Sequence, residues 1–111
     1  MSLPDFIRAL PALDVPVPDD VVSTNAIRSD QGLGVFFTFH KAMELPPHAH
    51  KAQWGIVIKG WLELTMEGKT HRYLPGESYS IPSGAVHSAK GPAGAIVFDV
   101  FEEADRYPIR A

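Results

Sequence analysis

Apolar residues along this chain come in short runs closed by turn residues. LGVFFTF spans 33–39, QWGIVIK spans 53–59, and WLELTM, THRYL, SYSI, AVHSAK and AIVFDVF follow up to Phe101. Between these runs stand SDQG, EGK, PGE and PSG, whose glycines and prolines supply the backbone angles that turns require. EGK, flanked by WLELTM and THRYL, has the length and composition of a hairpin connection. Nowhere does the three- and four-residue apolar spacing of a helix persist. About nine short strands with closely spaced turns predict an all-β protein, an antiparallel sandwich or closed barrel.

The first 20 residues read differently. Pro4, Pro11, Pro16 and Pro18 permit a turn or two of helix in PDFIRAL, with Pro4 at a tolerated first position. The remainder should run extended and pack through Phe6, Ile7, Leu10 and Leu13. The chain therefore divides into a proline-rich N-terminal arm, residues 1–20, packed on the barrel or on a partner subunit, and a β-barrel, residues 21–111.

Strand parity sorts QWGIVIK into two faces. If Gln53 points inward, so do Gly55 and Val57, and Trp54, Ile56 and Ile58 form an outward apolar stripe. That stripe needs cover, from the arm or from a second subunit. Gly55 leaves space inside, which either admits a ligand or relieves sheet curvature.

Composition narrows the functional classes. With 111 residues, 45% apolar and 21% charged, the chain suits one globular domain. Its net charge of −3 is interspersed, so no basic stripe for nucleic acid exists. Cysteine is absent, which excludes disulfides, thiolate metal sites and cysteine nucleophiles. MSLPDFIRALPALD lacks the pattern of a secretory signal, and no run is long enough to span a bilayer. A cytoplasmic protein that binds neither membrane nor nucleic acid is the expectation.

The candidate chemistry is histidine. PPHAHKAQ places His48 and His50 one residue apart, on one face if the strand is continuous. Two neighbouring imidazoles suit a divalent metal, each offering a neutral ring nitrogen. Alone, the pair is equally consistent with exposed loop residues beside Pro46 and Pro47.

A second stretch changes that balance. PPHAHKAQWGIVIKG and GESYSIPSGAVH together resemble the two signature motifs of the cupin superfamily. His48, His50, Gln53 and Gly60 occupy the places of the first motif, with six residues between Gln53 and Gly60; Gly76, Pro82, Gly84 and His87 occupy those of the second. The 15 residues from Trp61 to Pro75 separate them, close to the minimal spacing of a small single-domain bacterial cupin. The resemblance covers about Leu33 to Phe101 and implies an antiparallel jelly-roll barrel. It also implies one divalent metal ion per chain, iron, manganese, nickel or zinc, bound by His48, His50, Gln53 and His87. Small cupins commonly form homodimers.

The chain departs from the family pattern in four places. Ala42 and Gly91 replace a motif Gly and a motif Asn at turn positions. His50 and Gln53 are one residue closer than in the commonest form, so Gln53 faces inward only if the chain turns or bulges at Lys51–Ala52; otherwise it hydrogen-bonds a ligated water. Glu is usual where Gln53 stands. A neutral set of three imidazoles and one amide leaves the ion's double charge uncompensated, which favours an anionic ligand. Other candidates are weaker: His40, His71 and Tyr73 belong at the rim, and Glu44, Glu63 and Glu77 at turns or on the solvent face.

Two functions remain open at this point. The first is a metal-dependent small-molecule enzyme, of dioxygenase, isomerase or cyclase type, acting on an anionic or enolisable substrate. The second is a non-catalytic module that binds or senses a small ligand or metal. The family contains both, so the resemblance does not choose.

Overall fold

A computed structural model describes residues 2–110; Met1 and Ala111, the two ends of the expected arm and barrel, lie outside the described residues. One short helix, α1 (Asp5–Arg8), precedes nine strands: β1 (Val22–Ser29), β2 (Gly32–Phe39), β3 (Met43–His48), β4 (Gln53–Lys59), β5 (Leu62–Met66), β6 (Lys69–Tyr73), β7 (Ser78–Ile81), β8 (His87–Gly91) and β9 (Ile96–Phe101). They form two antiparallel sheets, one in the order β1-β2-β9-β4-β7 and the other β3-β8-β5-β6. This is the jelly-roll architecture expected from the sequence.

Local chemistry explains the strand ends. Met66 pairs with Lys69, so Glu67 and Gly68 are the two residues of the β5–β6 turn. Both have positive φ, 54° and 75°. Such a two-residue turn has the twist the flanking strands need, and the glycine accepts its angle without steric cost.

Alternation then builds the core. On β4, Gly55 and Val57 are buried and Trp54 is exposed, as parity predicts. Val35 of β2, Val97 of β9, Leu62 and Leu64 of β5 and Ile81 of β7 bury their side chains almost fully. Each such aliphatic burial is worth about 1.5–3 kcal/mol.

The N-terminal segment lies against β1 and the C-terminal residues. Leu13 is fully buried and bridges to Ile109, its N–H donates to Thr24 Oγ1 at 2.8 Å, and the Ala26 N–H donates to Pro11 O at 2.8 Å. Arg110 closes the contact by donating to both Asp19 oxygens, to Asp14 and to the Leu13 carbonyl. Of the apolar side chains expected to anchor this segment, Leu13 alone is fully buried. Phe6, on the short helix α1, is 76% exposed. No helix among the described residues is long and apolar enough to cross a membrane.

Candidate metal centre

The centre begins where β3 fails to stay regular. Met43 to Leu45 pair in register with Gly91 to Ala89 of β8, after which the register shifts and His48 pairs with His87. Pro46 and Pro47 fall in that interval; neither can donate a ladder hydrogen bond, so the strand bulges. His48 and His87 thereby face each other across two strands, with ring centroids 4.3 Å apart.

His50 arrives by a different route. Continuous-strand parity predicted that it shares a face with His48, yet β3 ends at His48 and His50 lies beyond it. Its ring stands 5.4 Å from that of His48 and 4.8 Å from that of His87. Backbone anchors hold it there: Gly84 N–H donates to His50 O at 2.8 Å, and Glu103 and Glu102 accept from the Lys51 and Ala52 N–H groups. Residues 49–52 carry the chain from one sheet to the other, the turn that Gln53 requires to face inward.

All three rings are tied in the same manner. The Nδ1 atoms of His48, His50 and His87 bond the backbone oxygens of Pro46, Lys51 and Ala85 at 2.8, 2.6 and 2.9 Å. A carbonyl can only accept, so each Nδ1 carries a proton, which in the neutral ring leaves the lone pair on Nε2. One nitrogen from each ring lies within 4.8 Å of the others. Burial is the main cause that lowers the pKa of both His50 and His87; the bonds to Lys51 O and Ala85 O oppose it, and the nearby charge of Arg106 adds to it. Both rings are therefore neutral at pH 7, the form that ligates a metal. Three imidazoles oriented in this way could hold a divalent ion.

Gln53, the first residue of β4, lines the same cavity of about 80 Å³ between the sheets. Val17, Val22, Phe37, Phe39 and Leu64 supply apolar wall. Beside Gln53 stands a buried carboxyl that sequence reasoning did not single out. Asp99 of β9 is 5% exposed, accepts a 2.5 Å hydrogen bond from Tyr79 Oη of β7, and is hydrogen-bonded by the Gln53 side chain. Burial pushes its pKa up to about 6, against the pull of both bonds. The signal was present: Asp99 interrupts the apolar run AIVFDVF at an inward position, between Val97 and Phe101.

The space at Gly55 is filled by these same groups. Gly55 pairs with Asp99 on one side and Tyr79 on the other. A Cβ built on it would stand 2.0 Å from Asp99 Oδ1 and 2.4 Å from two Tyr79 ring carbons. The glycine thus makes room for the tyrosine–aspartate bond to cross β4.

Arg106 was also missed. Its Nε is buried with no hydrogen-bond partner among the described residues, and its Cζ lies 4.7 Å from the centroid of Tyr107, which lines the cavity. No motif marks it, since it follows the last strand. The remaining sequence candidates lie elsewhere. His40 is exposed and bonds Ser23 Oγ; His71 is exposed beside Tyr73; Glu63 pairs with Arg72 and Lys90; Glu77 accepts from Leu74 N–H; Glu44 is exposed.

Comparison with known proteins agrees with this architecture. KdgF from a Halomonas species superposes with a TM-score of 0.70 at 24% identity, covering 88% of this chain and 86% of that one. An RmlC-like cupin from Shewanella frigidimarina gives 0.72 at 23% identity, over 93% and 87%. Oxalate decarboxylase of Bacillus subtilis gives 0.70 at 19%, over 89% of this chain and 29% of that larger one. At these identities the likeness is one of fold. No curated protein matches the sequence. The family model of the cupin domain matches residues 35–101, which contain both motifs and all three converging histidines, and the chain belongs to the cupin family.

Proposed function

We propose that this cupin is a metal-dependent enzyme of dioxygenase, isomerase or cyclase type that acts on a small anionic or enolisable molecule. His48, His50, Gln53 and His87 would hold one divalent ion, iron, manganese, nickel or zinc. The observation that carries the reading is the shared orientation of the histidines, each Nδ1 spent on a carbonyl and each Nε2 left free. When bound, such an ion supplies Lewis-acid or redox chemistry.

The preference for an anion has a residue behind it. Asp99 beside Gln53 supplies negative charge that the four-ligand count omitted, so uncompensated metal charge alone is a weaker argument. Arg106 is a stronger one: its charge reaches His50 and His87, and its buried Nε lacks a partner. Its neighbour Tyr107 lines the cavity, so an anion bound there lies near the Arg106 charge. The cavity of about 80 Å³ suits a small acid and no polymer.

One observation favours the second reading, a binding or sensing module. Tyr79 and Asp99, which both line the cavity, are already bonded to each other, so neither stands as a free general base. Metal content of untagged protein, measured beside His48→Ala, tests the centre. Loaded protein is then offered 2-oxo acids and β-dicarbonyl compounds. Turnover supports the enzyme, tight binding without turnover supports the module, and no metal in native protein even after reloading refutes the metal-dependent enzyme and leaves the module that binds a small ligand.

The outer sheet face suits a second copy of the chain. Two adjoining rows, Ile27-Gly34-Val100-Trp54-Ser80 and Asn25-Phe36-Phe98-Ile56-Ser78, cross five strands without a charged side chain. Ile27, Trp54 and Val100 on it are 56%, 41% and 38% exposed. An uncharged patch meets its own copy with no like-charge repulsion, as a two-fold dimer contact requires.

A further inference from the structure

Gln53 is an awkward ligand. Its amide ends differ, one a carbonyl oxygen and one an NH₂ that cannot coordinate, and nothing in the side chain itself says which end faces the histidines. A glutamate in its place would present an oxygen either way. A site built on glutamine therefore needs a group that chooses the orientation.

Asp99 is that group. It is buried and accepts from Tyr79 Oη; Gln53 stands two residues along β4 from Gly55, the residue opposite Asp99, so the amide and the carboxyl share one sheet face and one cavity, where Gln53 acts as a donor to the carboxylate. A carboxylate only accepts, so Gln53 must offer it the NH₂ end. Amide planarity then turns the carbonyl oxygen away from Asp99, and Gln53 lines the cavity that His48, His50 and His87 share. Tyr79 keeps the carboxylate from rotating, and Gly55, lying in the row between Tyr79 and Asp99, is the gap that lets the two meet. Tyr79, Gly55 and Asp99 lie on three adjacent strands, β7, β4 and β9.

We infer that Tyr79, Gly55 and Asp99 form a positioning device, which holds the Gln53 amide with its carbonyl oxygen forward as a metal ligand. This rests on the proposed metal centre and adds a role for residues that do not touch the ion. Asp99 is a positioning residue and acts only through Gln53.

The test is an exchange of the two partners. Native protein, His48→Ala, Asp99→Asn and the double variant Asp99→Asn with Gln53→Glu are stripped of metal and titrated with Co(II), followed by calorimetry and by the visible absorption of the bound ion. Thermal melting of each metal-free protein reports folding. In Asp99→Asn, the carbonyl of the introduced asparagine stays with Tyr79 and its NH₂ turns to Gln53, which must flip its own oxygen backward to accept. Co(II) affinity should fall at least about tenfold, as for other groups that orient ligands, with a changed spectrum. The double variant restores a donor–acceptor pair, from the asparagine NH₂ to one oxygen of the introduced glutamate, whose second oxygen faces forward. Its affinity should return to within a few-fold of native.

Native binding with Asp99→Asn unchanged in affinity and spectrum overturns the device and leaves the metal centre standing. So does loss in Asp99→Asn that the folded double variant fails to recover, which would make Asp99 merely structural. If native protein binds Co(II) no better than His48→Ala, the metal centre itself fails and the device with it. Tyr79→Phe leaves the carboxylate free to turn and should weaken Co(II) severalfold; an unchanged affinity removes Tyr79 from the device.

Discussion

Gly55→Ala adds one methyl group to an ordinary strand position and should be among the most damaging small changes available in this protein. Its φ lies outside the left-handed region, so backbone strain is not the reason. The new Cβ would lie 2.0 Å from Asp99 Oδ1 and 2.4 Å from the Tyr79 ring, more than 1 Å inside normal contact. Neither partner can yield easily: both are buried, and both are fixed on strands paired to β4 itself. Overpacking of a core costs about 1–3 kcal/mol. Forcing Tyr79 from Asp99 leaves a buried carboxyl short of a donor, about 1–3 kcal/mol more. Lower chain entropy in the unfolded state returns less than about 1 kcal/mol. The net loss is about 2–5 kcal/mol, a large share of the roughly 5–15 kcal/mol that holds a domain folded. Gly34→Ala is the control, because its Cβ would meet only the tip of the Phe98 ring at 3.1 Å, on the outer face where the ring can move. Urea unfolding of the metal-free proteins measures both. A Gly55→Ala value within about 0.5 kcal/mol of native, the range of an innocuous surface change, would refute the argument that this glycine exists for the tyrosine–aspartate bond.

Three further outcomes are expected. Asp99 has its pKa raised from 3.8 to about 6, chiefly by burial, so the folded state binds this proton more tightly than the unfolded state. Its burial penalty fades as pH falls through 6 toward 3.8 and is complete above about pH 6, so native protein should gain about 2.4 kcal/mol relative to Asp99→Asn between pH 7 and pH 4; urea unfolding at both pH values measures it, and a flat difference would contradict the shift. His87→Ala should abolish metal-dependent stabilisation: native protein gains about 2.7 kcal/mol at a Co(II) concentration of 100 times Kd, and the variant melts at one temperature with or without the ion. Trp54→Glu puts a charge in the middle of the uncharged outer face, opposite Val100, and should convert a dimer to a monomer in sedimentation equilibrium; a native protein that is already monomeric rules the dimer out.

Much of this protein is legible from one sequence because β-structure writes its faces in alternation. Val57 inward and Trp54 outward follow from parity, and turn placement follows from Gly and Pro, whose backbone preferences are local. The histidines and Gln53 were legible for another reason: two spaced motifs fix which loops and strand ends come together. Where local rules were extended across a break they failed in detail. His48 and His50 do not share a strand, because Pro46 and Pro47 disrupt its ladder and β3 stops at His48.

What the sequence determined by itself is the set of strands, their inward faces and the residue types available to a metal. Only the tertiary structure decided that Asp99 and Tyr79 meet across Gly55, and that Arg106 brings its charge to bear on two of the histidines. Tyr79 and Asp99 are 20 residues apart, and Arg106 is 56 residues beyond His50. No local preference encodes such pairings, because they arise when β7, β4 and β9 take adjacent places in one sheet. Burial then changes the chemistry: a side chain that would be an ordinary carboxylate in water becomes, with its two donors, the group that orients a neighbour.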